Sequence, residues 1–339
     1  MKKFIFPLVA VLGFAACNPE NENPMGDGNG DEIKLQMTQL SIDTRAPYMA
    51  TTPSADAPLL ARVLCSQTQG DYTDEIEEAN NNGFMNFTAA STNTSFCLND
   101  GTITPKSFPR GVNNVYLVGL YPAETWTKNA GTSASFNFDG SNDIMFAPET
   151  VTTRGEEPAI GTLAFGHKMT KINIQLRAVD DASIVPWGEI ENIALTGVGA
   201  AADQPNTTVE VPFANGVATF SNAAASLACY GTDGTDYTDV AYAGTAALTT
   251  TPTTVAYTIC EPVDATGGTT AEYTLTVTSS TKGPVAVPFS LTNTENAEFT
   301  GNTAGKAFTV TLSFSAVEIQ AKATVTPWDE QGTTDVTIE

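Results

Sequence analysis

The stretch Phe308–Val325 reads FTVTLSFSAVEIQAKATV and decides the fold class. Phe308, Val310, Leu312 and Phe314 alternate with Thr309, Thr311 and Ser313. Then Val317, Ile319, Ala321, Ala323 and Val325 alternate with Glu318, Gln320, Lys322 and Thr324. Successive side chains of an extended chain point to opposite faces, so each run has one dry and one wet face. That is the mark of an antiparallel strand resting on a core.

Working outward, the same period recurs. Ile172, Ile174 and Leu176 alternate with Lys171, Asn173, Gln175 and Arg177, which predicts Lys171 on the wet face. Further strands are predicted over Ile193–Leu195, Thr207–Val211, Val217–Phe220, Val255–Ile259, Tyr273–Val277 and Val285–Leu291. In the first half they fall at Leu59–Gln67, Phe84–Phe87, Ser95–Leu98, Thr102–Thr104, Val115–Leu120, Ser135–Phe138 and Asp143–Phe146, with one short helix over Asp74–Asn82. Asp100-Gly101, Asp139-Gly140 and Asn215-Gly216 read as hairpin turns, glycine supplying the positive φ. Val336 and Ile338 form a short terminal strand after Trp328 and a Gln331-Gly332 turn. The run Ala147–Gly161 (APETVTTRGEEPAIG) breaks the pattern with two prolines and two glycines and places a domain boundary there to within about fifteen residues. The fold class is therefore all-β, two antiparallel β-sandwich domains in tandem over 47–155 and 156–339. A chain of 339 residues has length enough for two cores.

The N-terminus carries three pieces: a signal peptide over 1–16, a tether over 17–32, and a strand with its linker over 33–46. Lys2 and Lys3 precede an apolar run from Phe4 to Phe14, and Ala15-Ala16-Cys17 closes it in signal-peptide order. The small residues before Cys17 resemble a bacterial lipobox, which implies cleavage there and acylation of the thiol (palmitate). The other reading is an ordinary signal peptide that contains a cysteine. No later apolar run is long enough to span a bilayer as a helix. Residues Asn18–Asp31 are polar, acidic and rich in Gly, Asn and Pro, the composition of a flexible tether. Then comes IKLQMTQLSIDTRAP, Ile33–Pro47: a strand-like run to Ile42, followed by Asp43–Pro47, held extended because proline disfavours helix in the residue before it.

Charge and residue inventory exclude several functions. With 38 acidic and 15 basic residues the net charge is −23, so phosphate-directed binding of nucleic acid lacks its basic surface. His167 is the single histidine. That removes most His-dependent nucleophile arrangements and multi-histidine metal sites, and its position predicts a packed residue bonded to backbone. No carboxylate pair, phosphate loop or nucleophile motif emerges; no enzyme, metal or cofactor is expected. Cys65, Cys97, Cys229 and Cys260 leave an even number after Cys17. They either pair as Cys65–Cys97 and Cys229–Cys260 in a compartment that permits disulfides, or stay as buried thiols. Two acidic groups, Asp139/Ser141/Asp143 and Asp233/Asp236/Asp239, have calcium-type ligands but no closing glutamate, so loop chemistry is the plainer reading. Trp126 is read as exposed, a candidate for stacking on a sugar.

Four segments, in order, resemble the Bacteroidota fimbrillin-like family, the type V pilins and their relatives. They are Val115–Pro122 (VYLVGLYP), Asp139–Ala147 (DGSNDIMFA), Leu163–Lys171 (LAFGHKMTK) and Ala323–Trp328 (ATVTPW). The resemblance implies two transthyretin-like β-sandwich domains and export as a lipoprotein to the outer membrane surface. It also implies assembly into a fimbrium by β-strand addition between pilin subunits, after an arginine-specific protease removes the N-terminal strand. Arg45 stands where the cut would fall, leaving Ala46 as first residue; the bland alternative is a loop arginine. The removable strand would carry Ile33, Leu35, Met37, Leu40 and Ile42, and Val336 and Ile338 would be the donor strand. Burying five such side chains is worth roughly 1.5–3 kcal/mol each, of order 8–15 kcal/mol at most, comparable with the stability of a whole domain. Ile33, Leu35 and Met37 share one face while Leu40 and Ile42 fall on the other; a bulge near Thr38-Gln39 would reconcile them, and without one the strand buries only half its apolar set. The rival readings are a tip or anchor subunit and a permanently lipid-anchored surface protein binding glycan or host protein.

Overall fold

The structure, a computed structural model, describes residues 33–39, 59–73, 85–87, 94–95, 97–99, 103–105, 107–123, 126–155, 160–199, 203–232, 237–244, 246–266, 270–292 and 301–326. The first half contributes β1 (Lys34–Gln39), β2 (Leu59–Ser66), β3 (Met85–Phe87), β4 (Thr94–Ser95), β5 (Cys97–Asn99), β6 (Ile103–Pro105), β7 (Asn114–Tyr121), β8 (Thr127–Asn129), β9 (Ser133–Asn137), β10 (Met145–Thr153) and β11 (Ile160–His167). From the second half come β12 (Thr170–Ala178), β13 (Glu189–Val198), β14 (Asn206–Pro212), β15 (Thr219–Ala223), β16 (Leu227–Ala228), β17 (Tyr230–Thr232) and β18 (Tyr237–Ala241). They are followed by β19 (Ala246–Ala247), β20 (Thr253–Cys260), β21 (Glu272–Ser279), β22 (Gly283–Thr292), β23 (Lys306–Phe314) and β24 (Ile319–Thr326). Among the described residues the helical structure is one 3₁₀ turn at Asp181–Ser183; the helix expected over Asp74–Asn82 lies outside them.

The fold is all-β and of sandwich type. A seven-stranded sheet runs β3-β2-β7-β10-β11-β1-β4, and an eleven-stranded one runs β16-β13-β21-β22-β24-β23-β12-β20-β17-β18 with β19 beside β13. A four-stranded sheet, β15-β14-β9-β8, joins a hairpin of the first half to one of the second. Pairing is mostly antiparallel, with parallel contacts at β1/β11, β12/β23 and β22/β24. β12 is the spine of the large sheet. It follows β23 through nine parallel pairs from Thr170↔Lys306 to Ala178↔Phe314, with β20 antiparallel on its other side. Its Ile172, Ile174 and Leu176 enter the large core, as their alternation predicts.

Two apolar clusters hold the sheets. The smaller gathers Ile33, Val63, Cys65, Phe108, Val115, Leu117, Leu163 and Phe165. The larger spans both halves, from Leu64, Val118, Leu120 and Trp126 to Ile172, Tyr257, Phe308 and Phe314. β7 is buried on both faces, Val115 and Leu117 toward one cluster and Val118 and Leu120 toward the other. That explains its nearly unbroken apolar sequence.

Several expectations are corrected. β10 continues through the segment read as a boundary as far as Thr153, because Pro148 sits within a register shift between Ala147 and Thr150 that absorbs it. The change of sheet, at Lys168-Met169 between β11 and β12, lies inside the margin given to that boundary. Asp139-Gly140 is no hairpin: β9 pairs with β8 and β14, β10 with β7 and β11, so the segment crosses between sheets. Asn215-Gly216 does close the β14–β15 hairpin, with Gly216 at φ 63° and its N–H 2.8 Å from the Pro212 carbonyl. Lys171 is buried rather than wet. The β18 segment brings Tyr237 over it, placing the ammonium 3.1 Å from the phenol oxygen and 4.3 Å from the ring centre.

Candidate functional site

The strand read as removable is an inner strand of the seven-stranded sheet. β1 lies parallel to β11 in unbroken register, from Lys34↔Ile160 through Leu35↔Gly161 and Met37↔Leu163 to Gln39↔Phe165. On its other side β4 meets it antiparallel at Lys34↔Ser95 and Leu35↔Thr94. Ile33, just before the strand, is fully buried in the smaller cluster. The register places Leu35 and Met37 level with Gly161 and Leu163, both on the buried face of β11, while Ala164 is exposed. Through Gln39 the register runs without a bulge. Leu40, Ile42, Arg45 and Ala46 lie outside the described residues, as do Cys17, Val336 and Ile338.

β11 is the wall of this slot, and its own anchorage is local. Among the described pairings β10 meets it only at Met145↔His167 and Phe146↔Gly166, so the ladder of Ile160–Phe165 is made with β1. Phe165 lies across β7 where Gly119 leaves room: a Cβ there would stand 2.5 and 2.8 Å from ring carbons of Phe165. At the end of β11, His167 Nδ1 sits 3.0 Å from Asp143 Oδ1 and 2.9 Å from Oδ2, with both side chains shut off from solvent. The described partner of His167 Nδ1 is thus a carboxylate. Next along, Lys168 donates its N–H to the Ile144 carbonyl at 2.8 Å. Burial holds its ammonium below the usual lysine value. Gly140, at φ 110°, presses against the Ala228 carbonyl, and its own carbonyl accepts the Ile259 N–H at 2.7 Å. The segment from Asp139 to Phe146 therefore ties β11 to the second half.

The other sequence candidates resolve as packing. Cys65, Cys229 and Cys260 are free, buried thiols, which overturns the pairings Cys65–Cys97 and Cys229–Cys260; nothing is described of the Cys97 side chain. Burial pushes all three thiols up; at Cys260 the neighbouring Glu261 and then Cys229 add to it. Small and apolar, they serve as core residues. Asp139 Oδ1 accepts the N–H and hydroxyl of its own Ser141, and Asp143 faces His167, its Oδ1 hydrogen-bonded to Nδ1 and its Oδ2 buried without a hydrogen bond of its own, so both carboxylates are turned to groups of the protein. Asp233 and Asp236 lie outside the described residues. Among the described residues no group of three His, Cys, Asp or Glu has metal-binding geometry. Trp126 is not exposed: it is 5% accessible, its indole N–H reaches the Pro122 carbonyl at 2.9 Å, and its ring packs on Phe136. What sequence reasoning missed is the role of β11. Its signal was there, Gly161, Leu163 and Phe165 against Thr162 and Ala164, but the boundary reading ran up to Gly161 and Leu163–Lys171 entered only through the family resemblance.

No family model matches the chain, and no curated protein matches it. Among solved structures, a Bacteroides ovatus protein assigned to cell adhesion is 14% identical, with TM-score 0.51 over 89% of this chain and 99% of that one. A Bacteroides uniformis protein, also assigned to cell adhesion, is 13% identical with TM-score 0.47 over 88% and 98%. A Bacteroides vulgatus fimbrial protein is 13% identical with TM-score 0.38 over 87% and 99%. The B. ovatus likeness shows the fold.

Proposed function

We propose that this chain is a structural subunit of a cell-surface pilus. It is exported as a lipoprotein through Cys17, trimmed after Arg45 by an arginine-specific protease, and polymerised when a neighbour's strand takes the place of β1. The observation that carries the reading is the seat of β1. A short N-terminal strand, followed by the polar, arginine-bearing Asp43–Pro47, fills an inner place in the sheet. Losing it uncovers the buried apolar face around Ile33 and strips β11 of its described ladder over Ile160–Phe165. An edge with unpaired N–H and C=O groups over an apolar floor takes up another strand, main-chain bonds supplying pairing and alternate side chains specificity. Such a head-to-tail contact does not close on itself and so propagates a filament. The neighbours' assignments to adhesion and fimbriae support the class of protein, and the resemblance supports the mechanism.

The test is polymer formation after treatment with an arginine-specific protease, read as a ladder on gels run without boiling. Wild type should ladder. Arg45→Ala should stay a capped, folded monomer, and deletion of Asp335–Glu339 should be trimmed yet fail to polymerise. Ladders from Arg45→Ala equal to wild type would show that this cut does not govern assembly. A protein recovered from cells with acylated Cys17 still in place and no ladder would favour the permanently anchored reading.

A further inference from the structure

We infer that the incoming strand enters the slot parallel to β11, with Val336 of a second copy beside Gly161 and Ile338 beside Leu163. This rests on the strand-exchange reading above and adds its direction and register.

The chain builds one arrangement twice. β10, β11, β1 and β4 stand side by side with antiparallel, parallel and antiparallel contacts in turn. β20, β12, β23 and β24 stand side by side with the same three relations. β11 and β12 are successive along the chain, joined by Lys168 and Met169, so β1 holds beside β11 the place that β23 holds beside β12. In the second sheet that place is filled by a strand from late in the chain, running parallel to β12 for nine pairs. A late segment filling the β1 place in the same sense repeats a solution the fold already uses.

The walls favour the same direction. A strand laid in backwards would meet β11 antiparallel and β4 parallel. Parallel bonds are evenly spaced and slanted, whereas antiparallel bonds alternate close and wide pairs, so both ladders would have to change together. The direction of β1 satisfies both. The face is set as well: Gly161, Leu163 and Phe165 are buried and Ala164 exposed, so alternate apolar residues of the insert belong level with Gly161 and Leu163. Val336 and Ile338 have that spacing, with Asp335, Thr337 and Glu339 left for the outer face.

A second gap in the fold shows what a guarded edge looks like. Among the described residues β22 and β24 pair at Leu291↔Ala323 and Thr292↔Thr324 and diverge around a cleft of about 470 Å³ lined in part by Tyr273, Phe289 and Ala321. β22 carries Pro284 and Pro288, which have no N–H to offer, and β24 carries Lys322. Both residue types blunt strand addition. β11 has neither between Ile160 and His167, so the edge uncovered by losing β1 is the unguarded one.

Cysteine pairs test this. Ala164→Cys is combined in one chain with Glu339→Cys, Thr337→Cys or Asp335→Cys, trimmed by the arginine-specific protease, oxidised, and run boiled without reductant; Ala164→Cys alone sets the background. The inferred register puts Glu339 level with Ala164, so the Glu339→Cys chain should give a ladder that survives boiling and collapses with reductant. Cross-linking through Asp335→Cys instead would mean an antiparallel insert, and through Thr337→Cys a register slipped by two; either overturns the inference. A ladder on unboiled gels with none of the three pairs cross-linked would place the donor elsewhere and also overturn it. No ladder even without boiling would sink the strand-exchange reading itself.

Discussion

At the scale of single residues, Gly119 makes room for the wall of the slot. It has no left-handed backbone requirement; its role is space, because the Phe165 ring occupies the volume a methyl would need, with Ala147 Cβ a further 3.1 Å contact. Forcing a methyl into a packed site costs about 1–3 kcal/mol. Gly119→Ala should therefore lower the thermal midpoint by several degrees, with its effect centred on β7 and β11. Gly166→Ala is the matched control, since a Cβ there meets nothing described within 4 Å. Equal melting curves for the two variants would show that Phe165 is not the anchor of β11. Such a need was invisible in the sequence: Gly119 falls inside an apolar strand, and only the ring lying across it explains why the strand tolerates a residue that weakens it.

At the scale of elements, β1 and β11 depend on each other. β11 has two described pairs with β10 and six with β1, so disturbing β1 should loosen Ile160–Phe165 while His167, held by Asp143 and β10, stays protected. Successive N–H groups of a strand point to opposite edges. Of Leu35→Pro and Gln36→Pro, one therefore removes a donor directed at β11. That variant should raise amide hydrogen exchange over residues 160–165 by at least about tenfold, the effect of losing roughly 1.4 kcal/mol of local protection. Unchanged exchange in both variants would mean that β11 is held without β1, and the slot would have a rigid wall after trimming.

At the scale of the whole molecule, the two halves share structure. β9 pairs with β14, and the larger cluster runs from Leu64 to Ala323. Buried ionisable groups within this shared packing set its alkaline limit. Burial raises Cys65, Cys229 and Cys260 above the usual thiol value of 9.0, and Tyr72 and Tyr273 above the usual phenol value of 10.0. Folded-state values above unfolded ones mean that the native state keeps its protons while the unfolded chain releases them. The stabilisation is complete below the unfolded value and is lost as pH rises past it. The urea midpoint should hold steady in the neutral range and fall above about pH 9, each titrating group steepening the slope by up to about 1.4 kcal/mol per pH unit. Cys229→Ala should flatten that slope. A midpoint unchanged from neutral to about pH 10.5 would show that these groups ionise alike in both states.

What the sequence determined by itself was everything governed by local period and composition. Alternation in Phe308–Phe314, Ile319–Val325 and Ile172–Leu176 specified strands and their dry faces, because a side chain's face depends only on its place in its own strand. Asn215-Gly216 specified its turn because positive φ is a property of the residue itself. Tertiary structure alone decided which strands lie side by side. It carried β10 past Pro148, turned Asp139-Gly140 from a hairpin into a crossing, buried Lys171 under Tyr237, and left Cys229 and Cys260 as thiols. It also set β1 parallel to β11. Pairing joins segments far apart in the chain, and its outcome follows from the summed burial and ladder bonds of the whole sheet, which no window of sequence contains.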